Sequence, residues 1–198
     1  MSASDSRHPP TPAWHLDEDA LESVALGAGI LGTGGGGNPR VGMLRAREIV
    51  RRHGPVPVMG PGDLVDDDRV ICVGGMGAPT VGMEKVRSTE SHRALRAMEE
   101  VAGVRATAVI SGEIGGSNSL EPVVAAGPAG LPVVDGDGMG RAFPELQMTT
   151  YFIYGIEPAP AVLCDEKGNT AVFRDAISPR WLERMARAVT VAMGCVPV

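Results

Sequence analysis

The sequence predicts an α/β fold: a mostly parallel sheet with helices on both faces, plus a small β-hairpin region near the C-terminus. Three observations carry that expectation. Largely apolar runs at 69–73, 106–110 and 131–134 read as buried strands, and helical patterns separate them. Each run passes directly into a glycine-rich polar loop. The chain has 198 residues, 43% of them hydrophobic, which is enough for one sizeable core. Residues 1–15 read as a disordered lead-in and 16–198 as a single α/β domain.

The first helix is expected at residues 16–31. Asp17 can cap it, Asp19 and Glu22 sit in its first turns, and Leu21, Val24, Ala25 and Ala28 form an apolar stripe. Thr33-Gly34-Gly35-Gly36-Gly37-Asn38-Pro39 cannot continue it. A second helix at 40–53 follows Pro39 and ends at Gly54, with arginines near its C-terminus as the helix dipole favours. Residues 56–59 read as a short strand and Asp66-Asp67-Asp68 as a turn. Between the three buried strands lie helices at 89–101, with Leu95, Met98 and Val101 inward, and at 120–126. Past Met148 the pattern changes: 149–154, 161–164 and 169–174 read as strands, the last two joined by Asp165-Glu166-Lys167-Gly168. A final helix at 179–193 carries Leu182, Met185, Ala186, Val189 and Met193 on one side.

Composition excludes several classes of function. A formal net charge of −6 without a basic stripe argues against nucleic-acid binding. Aromatic residues at 4% supply no stacking platform for single strands. No apolar run reaches the roughly 20 residues of a membrane span. The polar, proline-bearing start lacks the apolar segment of a signal peptide, so the expected location is cytoplasmic. Cys72, Cys164 and Cys195 are far apart, fit a reducing compartment and read as packing residues. His8, His15, His53 and His92 have no partner motif.

In parallel sheets, ligands gather outside the carboxyl ends of the strands, which is where the glycine loops fall. Gly34, Gly35 and Gly36, with Asn38, read either as a backbone nest for an anion or as a tightly packed connector. Glu84 and Lys85 read either as a substrate clamp or as a salt-bridged pair. Glu113, flanked by Gly112 and Gly115-Gly116, is a candidate acid–base group. Asn118 either hydrogen-bonds a substrate or caps the helix after it. Asp135 and Asp137 come next, with Arg141 and Glu145 behind them. Such carboxylates suit a divalent metal (Mg, Mn or Zn) or general acid–base work, or else form a hydrogen-bonded turn neutralised by Arg141.

Four motifs carry a family resemblance: Leu31-Gly32-Thr33-Gly34-Gly35-Gly36-Gly37-Asn38-Pro39; Gly75-Met76-Gly77-Ala78-Pro79-Thr80-Val81 with Glu84-Lys85; Gly112-Glu113-Ile114-Gly115-Gly116-Ser117-Asn118-Ser119; and Asp135-Gly136-Asp137-Gly138-Met139-Gly140-Arg141-Ala142-Phe143-Pro144-Glu145. Over about residues 21–193 the chain resembles the family called domain of unknown function nine hundred and seventeen, also labelled the S-methyl-thiohydantoin desulfurase N-terminal domain. The resemblance implies an association with hydantoinase/oxoprolinase-type enzymes, which open cyclic amides. The expected substrate is then a small hydantoin-like or thiohydantoin-like compound, cleaved hydrolytically at a C–N or C–S bond by an enzyme or enzyme subunit. The alternative is a non-catalytic subunit that completes a partner's active site. The resemblance also implies a second, β-rich domain after the last residue here, hence a separate subunit carrying it, or a homo-oligomer. On this reading the glycine loops hold the substrate carbonyl or carboxylate and Arg141 orients an anionic group. Glu113, Asp135 and Asp137 bind metal or share the acid–base role.

Overall fold

A computed structural model describes residues 12–85, 87–194 and 198. Helix α1 (Glu18–Gly32) begins where the Asp17 carboxylate accepts the Ala20 N–H at 2.9 Å, and ends with Thr33 in the left-handed region at φ 47°. Helix α2 (Pro39–His53) is capped by Asn38, which accepts the Arg40 N–H, and carries Arg51, Arg52 and His53 in its last turn.

The main sheet contains β1 (Trp14–Leu16), β2 (Val56–Met59), β3 (Val70–Val73), β4 (Ala108–Ser111) and β5 (Val133–Asp137), in the order β1-β2-β5-β4-β3. Only β1 runs antiparallel to its neighbour. Between β3 and β4 come α3 (Pro79–Glu84), a short helix inside the second glycine loop, and α4 (Glu90–Ala102); α5 (Glu121–Ala126) joins β4 to β5. Both crossovers step in the same direction, and right-handed crossovers that do so share a face. Leu21 of α1, Met43 and Val50 of α2, Leu95 of α4 and Val123 of α5 indeed converge on Val58, Ile71, Val109 and Val133. The β2-to-β3 link steps the other way. It brings a 3-10 turn (Pro61–Asp63) and Leu64 towards the opposite face, where Met59, Ala108 and Val134 pack. Among the described residues, helical cover is therefore unequal: four helices pack on one face and short turns on the other.

Trp14 and His15, within the expected lead-in, belong to β1; residues 1–11 and Cys195 lie outside the described residues. The run at 149–154, expected as a strand, instead forms the single helical turn α6 (Thr150–Ile153). Its β-branched and aromatic residues suit a strand, but Thr150 donates both its N–H and its hydroxyl to the Gly138 carbonyl, at 2.8 and 3.1 Å. That anchor curls the segment back onto the loop after β5. Strands β6 (Ala161–Cys164) and β7 (Thr170–Phe173) form a separate antiparallel hairpin. The Asp165 carboxylate organises its turn by accepting the Lys167 and Asn169 N–H groups. Helix α7 (Pro179–Ala192), capped by Ser178, packs Ala186 against Leu163 of β6. Among the described residues, no helix is long and apolar enough to cross a membrane.

Candidate functional site

The loops that follow β3, β4 and β5 meet the loop between α1 and α2 around one cavity of about 780 Å³. Gly36, Gly75, Glu113, Asn118, Arg141 and Phe143 all line it.

Glu113 is a buried carboxylate in this wall. Both its oxygens are held: Asn118 Nδ2 donates to Oε1 at 2.5 Å and the Phe143 N–H donates to Oε2 at 2.8 Å. Burial pushes its carboxyl above the ordinary value, with a smaller push from Asp137, and these outweigh the two hydrogen bonds. Asn118 does not cap α5. Its Oδ1 accepts the Gly75 N–H at 2.7 Å and its Nδ2 also reaches the Gly75 carbonyl at 3.1 Å. The loops after β3 and β4 are thereby tied through one amide, and the loop after β5 joins them through the Glu113 carboxylate.

The two aspartates part company. Along the β4–β5 ladder, Val109 pairs with Val133 and Ser111 with Asp137, so two steps of β4 match four of β5 and β5 bulges. Asp135 ends exposed and does not line the cavity. Asp137 Oδ2 accepts three backbone N–H groups, from Ile114 at 2.8 Å, Met139 at 3.0 Å and Gly140 at 2.7 Å. Lone pairs directed at three N–H groups make that oxygen a poor metal donor. Among the described residues, no group of three or more His, Cys, Asp or Glu side chains is placed to hold a metal ion. The donor set does not fit a divalent metal.

The glycine run is chiefly a device for close approach. A Cβ on Gly36, at φ +72°, would lie 2.1 Å from the Gly115 carbonyl oxygen, and one on Gly116 would lie 2.3 Å from the Gly37 oxygen. The backbones interlock further through Ser117 N–H to Gly37 O and Asn118 N–H to Gly36 O. Gly35 fits against Ala142, and Gly34 is exposed and outside the cavity lining. Asn38 lines the cavity while Nδ2 reaches Met83 Sδ at 3.5 Å.

Arg141 stands on the wall with Nη2 on Thr33 Oγ1 at 2.8 Å and its guanidinium over the Phe143 ring, 5.4 Å from the centroid. Glu145 lines the same cavity and accepts from Gln147 Nε2. Glu84 is exposed, and Lys85 turns away to pair with Glu166 of the β6–β7 turn at 2.9 Å. They do not act as a pair.

Sequence reasoning missed Arg87, Cys72 and Tyr151, all of which line the cavity. Arg87 sits in an irregular connection without a motif of its own, and Tyr151 sat in a presumed strand. Cys72, expected in the core, is on the sheet face opposite the four helices and is exposed to the cavity. The crowding protein atoms, with Asp137, push its thiol up to about 12, so it stays protonated at neutral pH. The Tyr151 hydroxyl donates to the Ser111 carbonyl at 3.1 Å. Burial lowers the Arg87 guanidinium despite its pairing with Glu121 at 3.2 Å.

The family model for the S-Me-THD-like N-terminal domain matches residues 19–175. The chain belongs to this family. The chain is also similar to the X-ray crystal structure of a protein from Chromobacterium violaceum, with 28% identity and a TM-score of 0.78. That likeness covers 93% of this chain and 53% of the Chromobacterium protein, so the chain spans about half that protein's length. Comparison with curated proteins gives no match.

Proposed function

We propose that the domain is an enzyme or enzyme subunit acting on a small cyclic amide or thioamide, hydrolysing a C–N or C–S bond. One observation carries this reading: Glu113, with a raised carboxyl pKa, stands in the wall of a cavity built from every glycine loop. A carboxyl moved towards neutrality is suited to shuttling protons. Glu113 takes a proton from water as its oxygen adds to the ring carbon. It then returns that proton to the nitrogen or sulfur that leaves. Asn118 and the Phe143 N–H orient it, and Arg141 steers an anionic group. Family membership supports the thiohydantoin-like substrate class.

The decisive assay incubates the purified chain with hydantoin and S-methyl-thiohydantoin, following ring opening and methanethiol release by chromatography. Turnover that Glu113→Gln lowers by about 10²-fold or more fits an acid–base role. Turnover unchanged in that variant removes Glu113 from the chemistry.

Membership of a family of N-terminal domains supports a second reading, in which the chain completes the site of a partner. The exposed Ile177 and Trp181, bordering a second, shallower pocket, are the proposed contact. Activity that emerges only with a co-purified partner would select this reading.

A further inference from the structure

Arg87 carries the strongest observation outside the groups already assigned. Its side chain is 8% exposed, yet it lines the cavity. Nη1 pairs with Glu121 Oε1 at 3.2 Å, while Nε and Nη2 have no hydrogen-bond partner among the described residues. A guanidinium presents five N–H donors, and burying them unpaired costs about 1–3 kcal/mol or more. The two open nitrogens form one edge of the planar fork, the edge that takes a carboxylate with two parallel hydrogen bonds.

Two neighbours reinforce this. Arg45 already holds Glu121 at 2.5 Å and Glu90 at 3.5 Å, so the two carboxylates lean on Arg45 and leave Arg87 the less neutralised cation. Gly75 lies beside Arg87 on the cavity lining. A Cβ there would sit 3.1 Å from Asn118 Oδ1, 3.6 Å from Nη2 and 3.7 Å from Nη1, so glycine leaves the space beside the buried guanidinium unfilled.

We propose that Arg87 is a carboxylate-binding group, and that the cavity takes a cyclic amide bearing an acidic side arm. The substrate class rests on the function proposed above; the carboxylate site does not. Arg87 would hold the arm through Nε and Nη2 with the ring near Glu113, whose partner Asn118 also binds Gly75.

Calorimetric titration of the full chain with three probes tests it: hydantoin-5-acetate, its neutral hydantoin-5-acetamide analogue, and acetate. The acid is expected to bind at least about tenfold more tightly than the amide, the value of one charge-assisted hydrogen bond. Arg87→Lys keeps a cation beside Glu121 but removes the fork, and should abolish that preference. Gly75→Ala leaves Arg87 in place and puts a methyl group beside it, and also presses on Asn118 Oδ1 at 3.1 Å, so it should weaken both ring probes but the acid by the larger factor. Gly75→Ala keeps the test valid if Arg87→Lys fails to fold. Equal binding of acid and amide, or a preference that survives both variants, overturns the carboxylate site while leaving the cyclic-amide reading intact. Acetate binding that depends on Arg87, with neither ring compound bound, upholds the site and overturns the substrate class. No binding of any probe overturns both.

Discussion

Asn118 donates to Glu113 Oε1 at 2.5 Å and, through the other end of the same amide, receives the Gly75 N–H. This hydrogen bond lowers the Glu113 pKa against the larger upward push of burial. Asn118→Ala should therefore raise that pKa further. Carbon-detected NMR titration of the glutamate carboxyls reads the shift directly, and an unmoved or lower value would contradict the geometry.

A carboxyl whose folded pKa lies above its unfolded value favours the fold in its protonated form. Wild-type stability relative to Glu113→Gln should thus fall as pH rises from the ordinary carboxylate range through the raised Glu113 value, then level off. Urea denaturation at a series of pH values measures this, and a relative stability that climbs with pH would reverse the assignment.

Glu121 has the opposite sign. Burial pushes it up, but Arg45 and Arg87 outweigh burial, and the Ser91 hydroxyl adds a hydrogen bond, so its pKa is lowered. Its contribution is present above the unfolded pKa and is lost as pH falls through the folded one. Glu121→Gln leaves two buried guanidinium groups underpaired and should cost about 3–5 kcal/mol. A loss below about 1 kcal/mol would mean that water already screens the cluster.

Gly36 and Gly34 offer a contrast within one loop. Both have positive φ, but Gly34 faces open space whereas a Cβ on Gly36 meets the Gly115 backbone. Gly34→Ala should cost about 1–2 kcal/mol from backbone strain alone. Gly36→Ala adds overpacking and should cost about 3 kcal/mol or more in the same denaturation experiment. Equal costs would mean the loops separate easily.

Asp137 is expected to act as a brace. Asp137→Ala forfeits three hydrogen bonds to a carboxylate and should destabilise the chain by about 3 kcal/mol. Metal analysis of the purified protein should find no stoichiometric divalent ion, and a stoichiometric one would restore the reading in which Asp135 and Asp137 bind metal.

Much of this was legible in the sequence, for physical reasons. Apolar runs ending in glycine define β3, β4 and β5, and the loops after them do share a cavity. Asp17 and Asn38 announce α1 and α2 because capping is local chemistry. Local reasoning failed where a distant contact decides. The Thr149-Thr150-Tyr151-Phe152 run has strand residues, but Gly138 holds Thr150 and turns it into a helix. Asp135 and Asp137 look paired by spacing, and only the bulge in β5 reveals that they separate. Arg87 carried no motif at all; its importance arises from what fails to meet it.

Gly36 and Gly116 each occupy the space that a side chain on the other loop's backbone partner would need. The segments at 32–39 and 112–119 consequently behave as one transplantable module, although β2, β3 and β4 fall between them in chain order. Grafting either segment alone onto another scaffold would carry its letters without its shape. A designer borrowing this cavity must move both together, and natural divergence faces the same toll: a larger residue on one side must await a concession on the other.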